Sequence, residues 1–168
     1  MMRDARPDDA PRIARIYNHY ISNTIISFEE IPLTSDAMRE RMQTVADAGL
    51  PWLVYLENEL IQGYCYAGRW HTRASYRYTV ESTVYLDPSA AGRGIGQALY
   101  TCLIDRLREL GYHAVIGGIA LPNEASVRLH EKLGFQQVAH YRETGFKDNR
   151  WIDVGYWELL LEQDTRKP

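Results

Sequence analysis

Cysteines and long apolar runs are both scarce in this sequence. The two cysteines, Cys65 and Cys102, are too few for a four-cysteine zinc site, and the histidines show no ligand spacing, so we expect reduced thiols and no metal ion. No segment approaches the roughly 18 apolar residues of a membrane span. The start, MMRDARPDDAPR, has no apolar run typical of a secretory signal, and we expect a cytoplasmic protein without membrane contacts.

An excess of positive charge is also absent. The chain has 19 Lys and Arg residues against 22 Asp and Glu residues, which gives a formal net charge of −3 at pH 7. Proteins that bind nucleic acid usually present a basic surface, so this balance argues against a nucleic-acid partner. The 168 residues contain no linker-like segment, and we expect them to form a single domain spanning residues 1–168.

The apolar pattern predicts a mixed α/β fold in which helices alternate with strands. Helices are expected to begin at Asp8 or Asp9, at Ser35, after a glycine cluster and at Asn123. The segment ISNTIISFEEIPLT is expected to be a loop or short strand, and a further loop is expected around Lys147–Arg150. Strands are expected at PWLVYLE, LIQGYCYAG, YTVESTVYL, HAVIGGIAL, FQQVAHY and WIDVGYWELLL.

Three glycines, Gly92, Gly94 and Gly96, lie between a predicted strand and a predicted helix. Glycine permits positive φ and close approach of a ligand, and a helix N-terminus offers free N–H donors with a positive dipole end. The arrangement suits a pyrophosphate group. Its spacing, G-x-G-x-G, matches neither a Walker loop nor the G-x-G-x-x-G fingerprint. The alternative is a flexible glycine-containing turn that binds no ligand.

The same segment resembles motif A of the GCN5-related N-acetyltransferases, Q/R-x-x-G-x-G/A, in which backbone amides hold the pyrophosphate of acetyl-CoA. Gly94 and Gly96 match its glycines, whereas Ala91 stands where Gln or Arg is usual. A second block, NEASVRLHEKLGF, is similar to that family's N-x-x-A-x-x-x-Y-x-x-x-G-F element. There Ser126 replaces the usual Ala, and His130 replaces the Tyr.

Six ordered blocks narrow the resemblance to the phosphinothricin N-acetyltransferases, whose relatives acetylate methionine sulfoximine and methionine sulfone. The similarity implies an α/β GNAT fold, with a mixed, mostly antiparallel sheet that is splayed at its fourth strand and flanked by helices. It also implies direct acetyl transfer to an α-amine in a ternary complex, within a homodimer. The blocks are NHYISNTIISF, PWLV, YAGRW, ESTVYLDP, ALPNEASVRLHEKLGF and TGFKDNRWIDVGYW.

The resemblance also implies a set of residues that bind acetyl-CoA. They belong to the strand before the glycine cluster, to the cluster and the helix start after it, and to the start of the next helix. Arg93 would supply a cation close to the phosphates. The full set is Val84, Tyr85, Leu86, Gly92, Arg93, Gly94, Ile95, Gly96, Gln97, Asn123 and Ser126.

Glu81 is the candidate general base. A carboxylate in the middle of YTVESTVYL is disfavoured by strand propensity and by burial, so its presence needs a reason. From the residues alone, Glu81 is either such a base or an edge-strand group that faces water or pairs with Arg69, Arg73 or Arg77. The resemblance favours the base, acting directly or through water, because ESTVY matches the block that contains the family's catalytic Glu.

Two further catalytic roles follow from the resemblance. The backbone N–H of Val84 would stabilise the negative charge that develops on the thioester oxygen. His130 would protonate the departing thiolate or steer it, although a histidine on a helix is more often a surface or core-edge group.

Arginines bracket the loop RWHTRASYR before the catalytic strand. A guanidinium pairs bidentately with a carboxylate or phosphinate, which suits an anionic amino acid, and solvated charge is the alternative. In the resemblance, Phe28 and Glu29 belong to a segment that closes over the substrate, and Glu29 departs from the phosphinothricin enzymes. The predicted substrate-binding residues are Phe28, Glu29, His71, Arg73, Arg77 and Thr83.

Two other functions compete with this one. The first is acetylation of another amine, such as a peptide N-terminus or a polyamine, and the lack of an acidic stripe weakens the polyamine. The second is a non-catalytic acetyl-CoA sensor, which the presence of both Glu81 and His130 argues against. The aromatic strand from Trp151 to Trp157 is a candidate for the subunit interface, although core packing is its simpler role.

Overall fold

The computed structural model describes residues 1–161, which form four α-helices and seven strands. The expected domain extends to Pro168, and residues 162–168 lie outside the described part. The elements are β1 (Met2–Asp4), α1 (Ala10–Asn23), α2 (Ser35–Asp47), β2 (Trp52–Glu57), β3 (Leu60–Arg69), β4 (Thr79–Leu86), α3 (Ile95–Glu109), β5 (Ala114–Leu121), α4 (Glu124–Lys132), β6 (Gln136–Lys147) and β7 (Arg150–Leu160).

The strands form one sheet in the order β1-β2-β3-β4-β5-β7-β6. Neighbouring strands of the described chain are antiparallel except β4 and β5, which are parallel and are connected through α3. The mixed, mostly antiparallel sheet predicted from the sequence is therefore confirmed. Helices α1, α2 and α3 pack on the sheet through a continuous apolar core that includes Ile13, Ile16, Leu53, Val54, Val80, Leu99, Leu103 and Val115.

Local sequence signals explain most helix ends. The Thr34 side chain accepts a hydrogen bond from Ala37 N at the start of α2, and Asn123 does the same for Ser126 N at α4. Asp9 stands at the N-cap position of α1, as the sequence predicts, but its side chain forms no capping hydrogen bond with that helix. It instead accepts two hydrogen bonds from Arg3, at 2.7 and 2.8 Å, and one from Arg6 N, so its carboxylate ties β1 to the start of α1.

The last hairpin differs from its prediction. Strand β6 is longer than FQQVAHY and continues to Lys147, so only residues 148 and 149 separate it from β7. A register shift between Tyr141 and Gly145, with Glu143 at φ +55°, lets β6 continue past an irregularity. The pattern also gave no signal for the short strand β1, whose three residues are too few to show a period.

The pairing of β4 with β5 is short. It covers only Thr79–Glu81 against Ala114–Ile116, although β4 runs on to Leu86 and remains paired there with β3. The sheet is therefore splayed at β4, as predicted. Within residues 1–161, each helix is too short or too polar to span a bilayer, and no group of three or more His, Cys, Asp or Glu side chains is placed to bind a metal ion.

Candidate active site

The splay opens a cleft of about 750 Å³ between β4 and β5. Its walls come from β4, from the glycine loop before α3, and from β5 and α4. Because pairing with β5 ends at Glu81, the main chain beyond it faces the cleft on that side and can hydrogen-bond to a ligand. Five predicted residues of β4 line the cleft: Glu81, Thr83, Val84, Tyr85 and Leu86.

The glycine loop has the geometry of an anion cradle. Gly92 and Gly94 have φ of +73° and +78°, and Gly94 caps the N-terminus of α3 with a left-handed backbone. No atom lies within 4 Å of where their β-carbons would stand, so the space above the loop is open to a ligand. Gly96, in the first turn of α3, lies against Leu129 and Leu86, and a β-carbon there would stand 3.4 Å from Leu129 Cδ2.

The predicted acetyl-CoA residues separate into two groups. Gly92, Gly94, Gly96, Gln97, Asn123 and Ser126 line the cleft together with the three of β4. Arg93 and Ile95 do not. Arg93 donates to both carboxylate oxygens of Glu57, at 2.6 and 2.8 Å, and Ile95 is 3% exposed and packs in the core.

Two cations of the cleft were missed from the sequence. Arg128 and Lys132 lie one turn apart on α4 and both line the cleft. Ala91, where the family usually has Gln or Arg, lines the cleft with them and supplies no polar side chain. The pyrophosphate of coenzyme A fits this place, because it combines an open glycine loop, a helix N-terminus and two cations.

Glu81 lies where the splay begins. Strand β4 is central in the sheet, and no ion pair joins Glu81 to Arg69, Arg73 or Arg77 in the described chain, which excludes the edge-strand alternative. Burial raises the pKa of Glu81, and the charge of His71 lowers it by less. A half-buried carboxylate with a raised pKa and no competing partner is suited to accept a proton.

His130 is enclosed rather than exposed, with 3% of its surface accessible. Its Nδ1 lies 2.8 Å from the Ser126 carbonyl oxygen, which can only accept, so this nitrogen carries the proton. Nε2 of the neutral ring then accepts from the Tyr100 hydroxyl at 3.2 Å. Burial lowers the pKa of His130, and the Ser126 carbonyl opposes this.

A second cavity of about 430 Å³ meets the cleft at Glu81. Phe28 and Glu29, two of the predicted substrate-binding residues, line it together with Val154 and Tyr156 of β7. The two cavities share Tyr17, Ile26, Glu81, Tyr85, Gly118 and Ala120.

Glu29 is held by a partner that sequence analysis missed. Arg41 on α2 donates to both carboxylate oxygens of Glu29, at 2.7 and 3.3 Å, and its guanidinium lies 5.5 Å from the centre of the Tyr17 ring. Burial raises the pKa of Glu29, but the hydrogen bonds from Arg41 and Tyr17 together lower it by more. The resulting pKa of Glu29 is below its usual value. Glu29 is therefore ionised at neutral pH, and its charge is compensated.

Three predicted substrate residues are exposed, and in the described chain they line neither cavity: His71, Arg73 and Arg77. A row of rings nevertheless connects their loop to the small cavity. Trp70 lies 5.6 Å from Tyr156 and 4.7 Å from His71 between ring centres.

Comparison with known proteins identifies the architecture. The family model for the acetyltransferase (GNAT) domain matches residues 2–155. The chain belongs to this family. As a GNAT protein it is an N-acetyltransferase that uses acetyl-CoA, and the cleft with its glycine loop is the place in this structure that fits the coenzyme.

Individual GNAT relatives match over nearly the full length. The phosphinothricin N-acetyltransferase of Alcaligenes faecalis is 40% identical, with 99% of this chain and 86% of that protein covered. The L-methionine sulfoximine/L-methionine sulfone acetyltransferase of Salmonella typhimurium is 35% identical, with 96% and 95% covered. The structure of a phosphinothricin acetyltransferase from Sinorhizobium meliloti in complex with acetyl-CoA superposes with a TM-score of 0.96 at 35% identity, covering 100% of this chain and 92% of that one.

Proposed function

We propose that this GNAT enzyme acetylates the α-amino group of phosphinothricin, methionine sulfoximine and methionine sulfone. The observation that carries the proposal is the small cavity that meets the acetyl-CoA cleft at Glu81, because an amine bound there stands between a base and the thioester. Its volume of about 430 Å³ suits a small molecule. The activities named for the relatives support this substrate class.

The reaction is direct transfer in a ternary complex. Acetyl-CoA supplies the acyl group as a thioester. Glu81 accepts a proton from the substrate ammonium, directly or through water, and the amine nitrogen then attacks the carbonyl carbon. The N–H of Val84, on the strand edge that faces the cleft, donates to the oxygen on which negative charge develops. The C–N bond forms and the C–S bond breaks, the amine nitrogen gives its second proton to the departing thiolate, and coenzyme A leaves as the thiol.

His130 acts on the thiolate through Tyr100 in this proposal. Burial disfavours the imidazolium form that would be needed for direct protonation by His130. Its Nε2 instead holds the hydroxyl of Tyr100, which also lines the cleft, and the single O–H of Tyr100 turns from Nε2 to the leaving sulfur when negative charge develops there. The sequence-based role of His130 as a steering group is favoured over that of a direct acid.

The amine site holds both ends of a zwitterion. Phe28 and Glu29 form one wall, and Arg41, which is bonded to Glu29, offsets the negative charge of that wall so that it does not repel an anionic side chain of the substrate. We assign the substrate carboxylate to Arg73, with Arg77 and His71 in support, because Trp70 of the same loop contacts both His71 and the Tyr156 ring at the cavity wall. Thr83 supports the substrate from β4, where it lines the acetyl-CoA cleft.

The aromatic tip of the last hairpin supports the predicted homodimer. Phe146 and Trp151 pair across β6 and β7 with ring centres 4.9 Å apart, yet they are 54% and 63% exposed. A second copy of the chain would cover them. Residues 1–168 then act as one acetyltransferase domain per subunit, in the cytoplasm where acetyl-CoA is made. Acetylation of phosphinothricin would remove its ammonium group and give herbicide resistance.

The test is coenzyme A release from acetyl-CoA with each amino acid offered separately, and with spermidine and a short peptide as competitors. We expect kcat/KM for the amino acids to exceed that for the competitors by about tenfold or more. Mass spectrometry of the product would identify the acetylated α-amine. Preference for spermidine or the peptide would establish another amine, and acetyl-CoA binding without turnover would establish a sensor.

A further inference from the structure

Lys147, the last residue of β6, is a buried cation with 4% of its surface exposed. Its Nζ donates to three carbonyl oxygens, those of Ile21 at 2.7 Å, Thr24 at 2.8 Å and Ser27 at 2.7 Å. An ammonium group has three N–H donors, so each of them is satisfied. No carboxylate within residues 1–161 forms an ion pair with Lys147, and the carbonyl dipoles compensate its charge.

These carbonyls lie where α1 ends and the chain turns into the following loop. The last carbonyls of a helix have no partners within it and carry the negative end of the helix dipole. The last turn of α1 contains no basic residue of its own. Lys147 therefore supplies the cation that this helix end lacks. It does so from a strand more than 100 residues later in the sequence.

The anchored loop is a wall of the amine cavity, because residues 26–29 line it. The hydroxyl of Ser27, whose carbonyl binds Lys147, accepts from Glu29 N at 3.2 Å and lies 2.9 Å from the Tyr17 hydroxyl. The bond to Lys147 thus lies one residue from Phe28 and two from Glu29. It limits where both side chains can stand.

Strand β6 makes a second contact with the same loop. Gly145 lies against the Phe28 ring, and a β-carbon there would stand 2.5 Å from Cε2 of that ring. Residues two apart on a strand point to the same face, so Gly145 and Lys147 hold the loop together. Phe146 lies between them and points to the opposite, exposed face.

We propose that Lys147 is the positioning residue of the amine site. Its ammonium group fixes residues 24–29 so that Phe28 and Glu29 form one wall of the cavity, while the glycine loop that fits the pyrophosphate of acetyl-CoA forms no hydrogen bond with it. The substrate assignment rests on the proposed function, whereas the anchoring of the loop does not.

The test replaces Lys147 with Met, which keeps the aliphatic stem and removes the three donors. In hydrogen–deuterium exchange, we expect the peptide covering residues 20–33 to exchange about tenfold faster or more, with the glycine loop unchanged. The KM for methionine sulfone should rise by about tenfold, whereas the Kd for acetyl-CoA measured by calorimetry should change much less, because Ile26 alone among residues 24–29 lines the acetyl-CoA cleft. Arg3→Met is the matched control, because it removes a partly buried, ion-paired cation that lines neither cavity.

A second variant covers the case in which Lys147→Met does not fold. Lys147→Gln keeps two donors on a side chain one bond shorter, and its loop should exchange faster than in the wild type. Unchanged exchange at residues 20–33 would overturn the proposal, as would an equal loss of affinity for acetyl-CoA and the amine. If the wild-type enzyme acetylates none of the amino acids, the proposed function fails while the exchange measurement still decides the anchoring.

Discussion

The Tyr100 hydroxyl and Nε2 of His130 lie 3.2 Å apart inside the acetyl-CoA cleft, and both side chains are buried. The ring of His130 rests against the backbone of Gly117, where a β-carbon would stand 2.7 Å from Cδ2. A glycine in the core strand β5 is otherwise unfavourable, since it has no side chain to pack. Its place under the imidazole explains why this strand tolerates it.

The neutral state of His130 predicts a pH dependence of stability. Burial lowers its pKa in the folded protein, while the unfolded chain titrates near 6.5. Its contribution to stability is therefore present above about pH 6.5 and is lost as pH falls through the lower folded pKa. In urea unfolding, the stability advantage of the wild type over His130→Gln should shrink between pH 7.5 and 5.5. Parallel pH profiles for the two proteins would contradict this.

Glu81→Gln should inactivate the enzyme and stabilise it. Loss of the base is expected to lower kcat by about 10²- to 10⁴-fold, with acetyl-CoA affinity retained. Burial raises the pKa of Glu81, so its contribution to stability is present below about pH 4.5 and is lost as pH rises through the folded pKa. The variant should therefore have a higher Tm than the wild type at pH 7 and a smaller advantage at pH 4.5.

The exposed Glu40 on α2 provides the control for that experiment. Glu40→Gln removes the same charge from a solvated position, and neither kcat nor Tm should change measurably. An unchanged turnover in Glu81→Gln would remove Glu81 from the mechanism.

Gly118→Ala should damage the amine side of the reaction. A β-carbon at Gly118 would stand 3.1 Å from Cε1 of Tyr156 and 3.4 Å from Oε1 of Glu81. It would therefore displace the Glu81 carboxylate or the Tyr156 ring of the cavity wall. A misplacement of about 1 Å can cost on the order of 10²-fold in rate, and we expect kcat/KM for the amine to fall by that order. Steady-state kinetics with methionine sulfone would measure it.

Gly68→Ala is its matched control. Gly68 pairs with Glu81 from the neighbouring strand β3, and no atom lies within 4 Å of where its β-carbon would stand. Its kinetics should match those of the wild type. If both alanine variants lose activity equally, the effect comes from the strand backbone and not from crowding at Glu81.

Sequence patterns predicted a structural feature correctly where that feature depends on residues close together in the sequence. The glycine loop, the Asn123 cap and the alternation that places Glu81 all depend on residues within a few positions of each other. The ion pair of Glu29 with Arg41 and the bonds of Lys147 to the end of α1 join distant segments. The sequence predicts a loop around Lys147–Arg150, because no periodic signal marks a buried cation that caps another element.

Arg41→Met should alter substrate preference within the amine site. Without Arg41, Glu29 becomes an uncompensated negative charge on the cavity wall. The KM for phosphinothricin, whose side chain is an anionic phosphinate, should then rise more than that for methionine sulfone, whose side chain is neutral. We expect a difference of about tenfold. Equal changes for both substrates would show that Arg41 only supports the structure, and Arg41→Met/Glu29→Gln should restore part of the preference.

Gly94→Ala should weaken acetyl-CoA binding, and comparison with Gly111→Ala distinguishes this effect from the loss of stability caused by backbone strain. Gly94 and Gly111 flank the two ends of α3, with φ of +78° and +81°, and both have open space at the β-carbon position. Alanine in this conformation costs about 1–2 kcal/mol, so both variants should lose similar stability in urea unfolding. Only Gly94 lines the cleft. Calorimetry should therefore show weaker acetyl-CoA binding for Gly94→Ala and an unchanged Kd for Gly111→Ala, whereas equal affinities would place the pyrophosphate elsewhere.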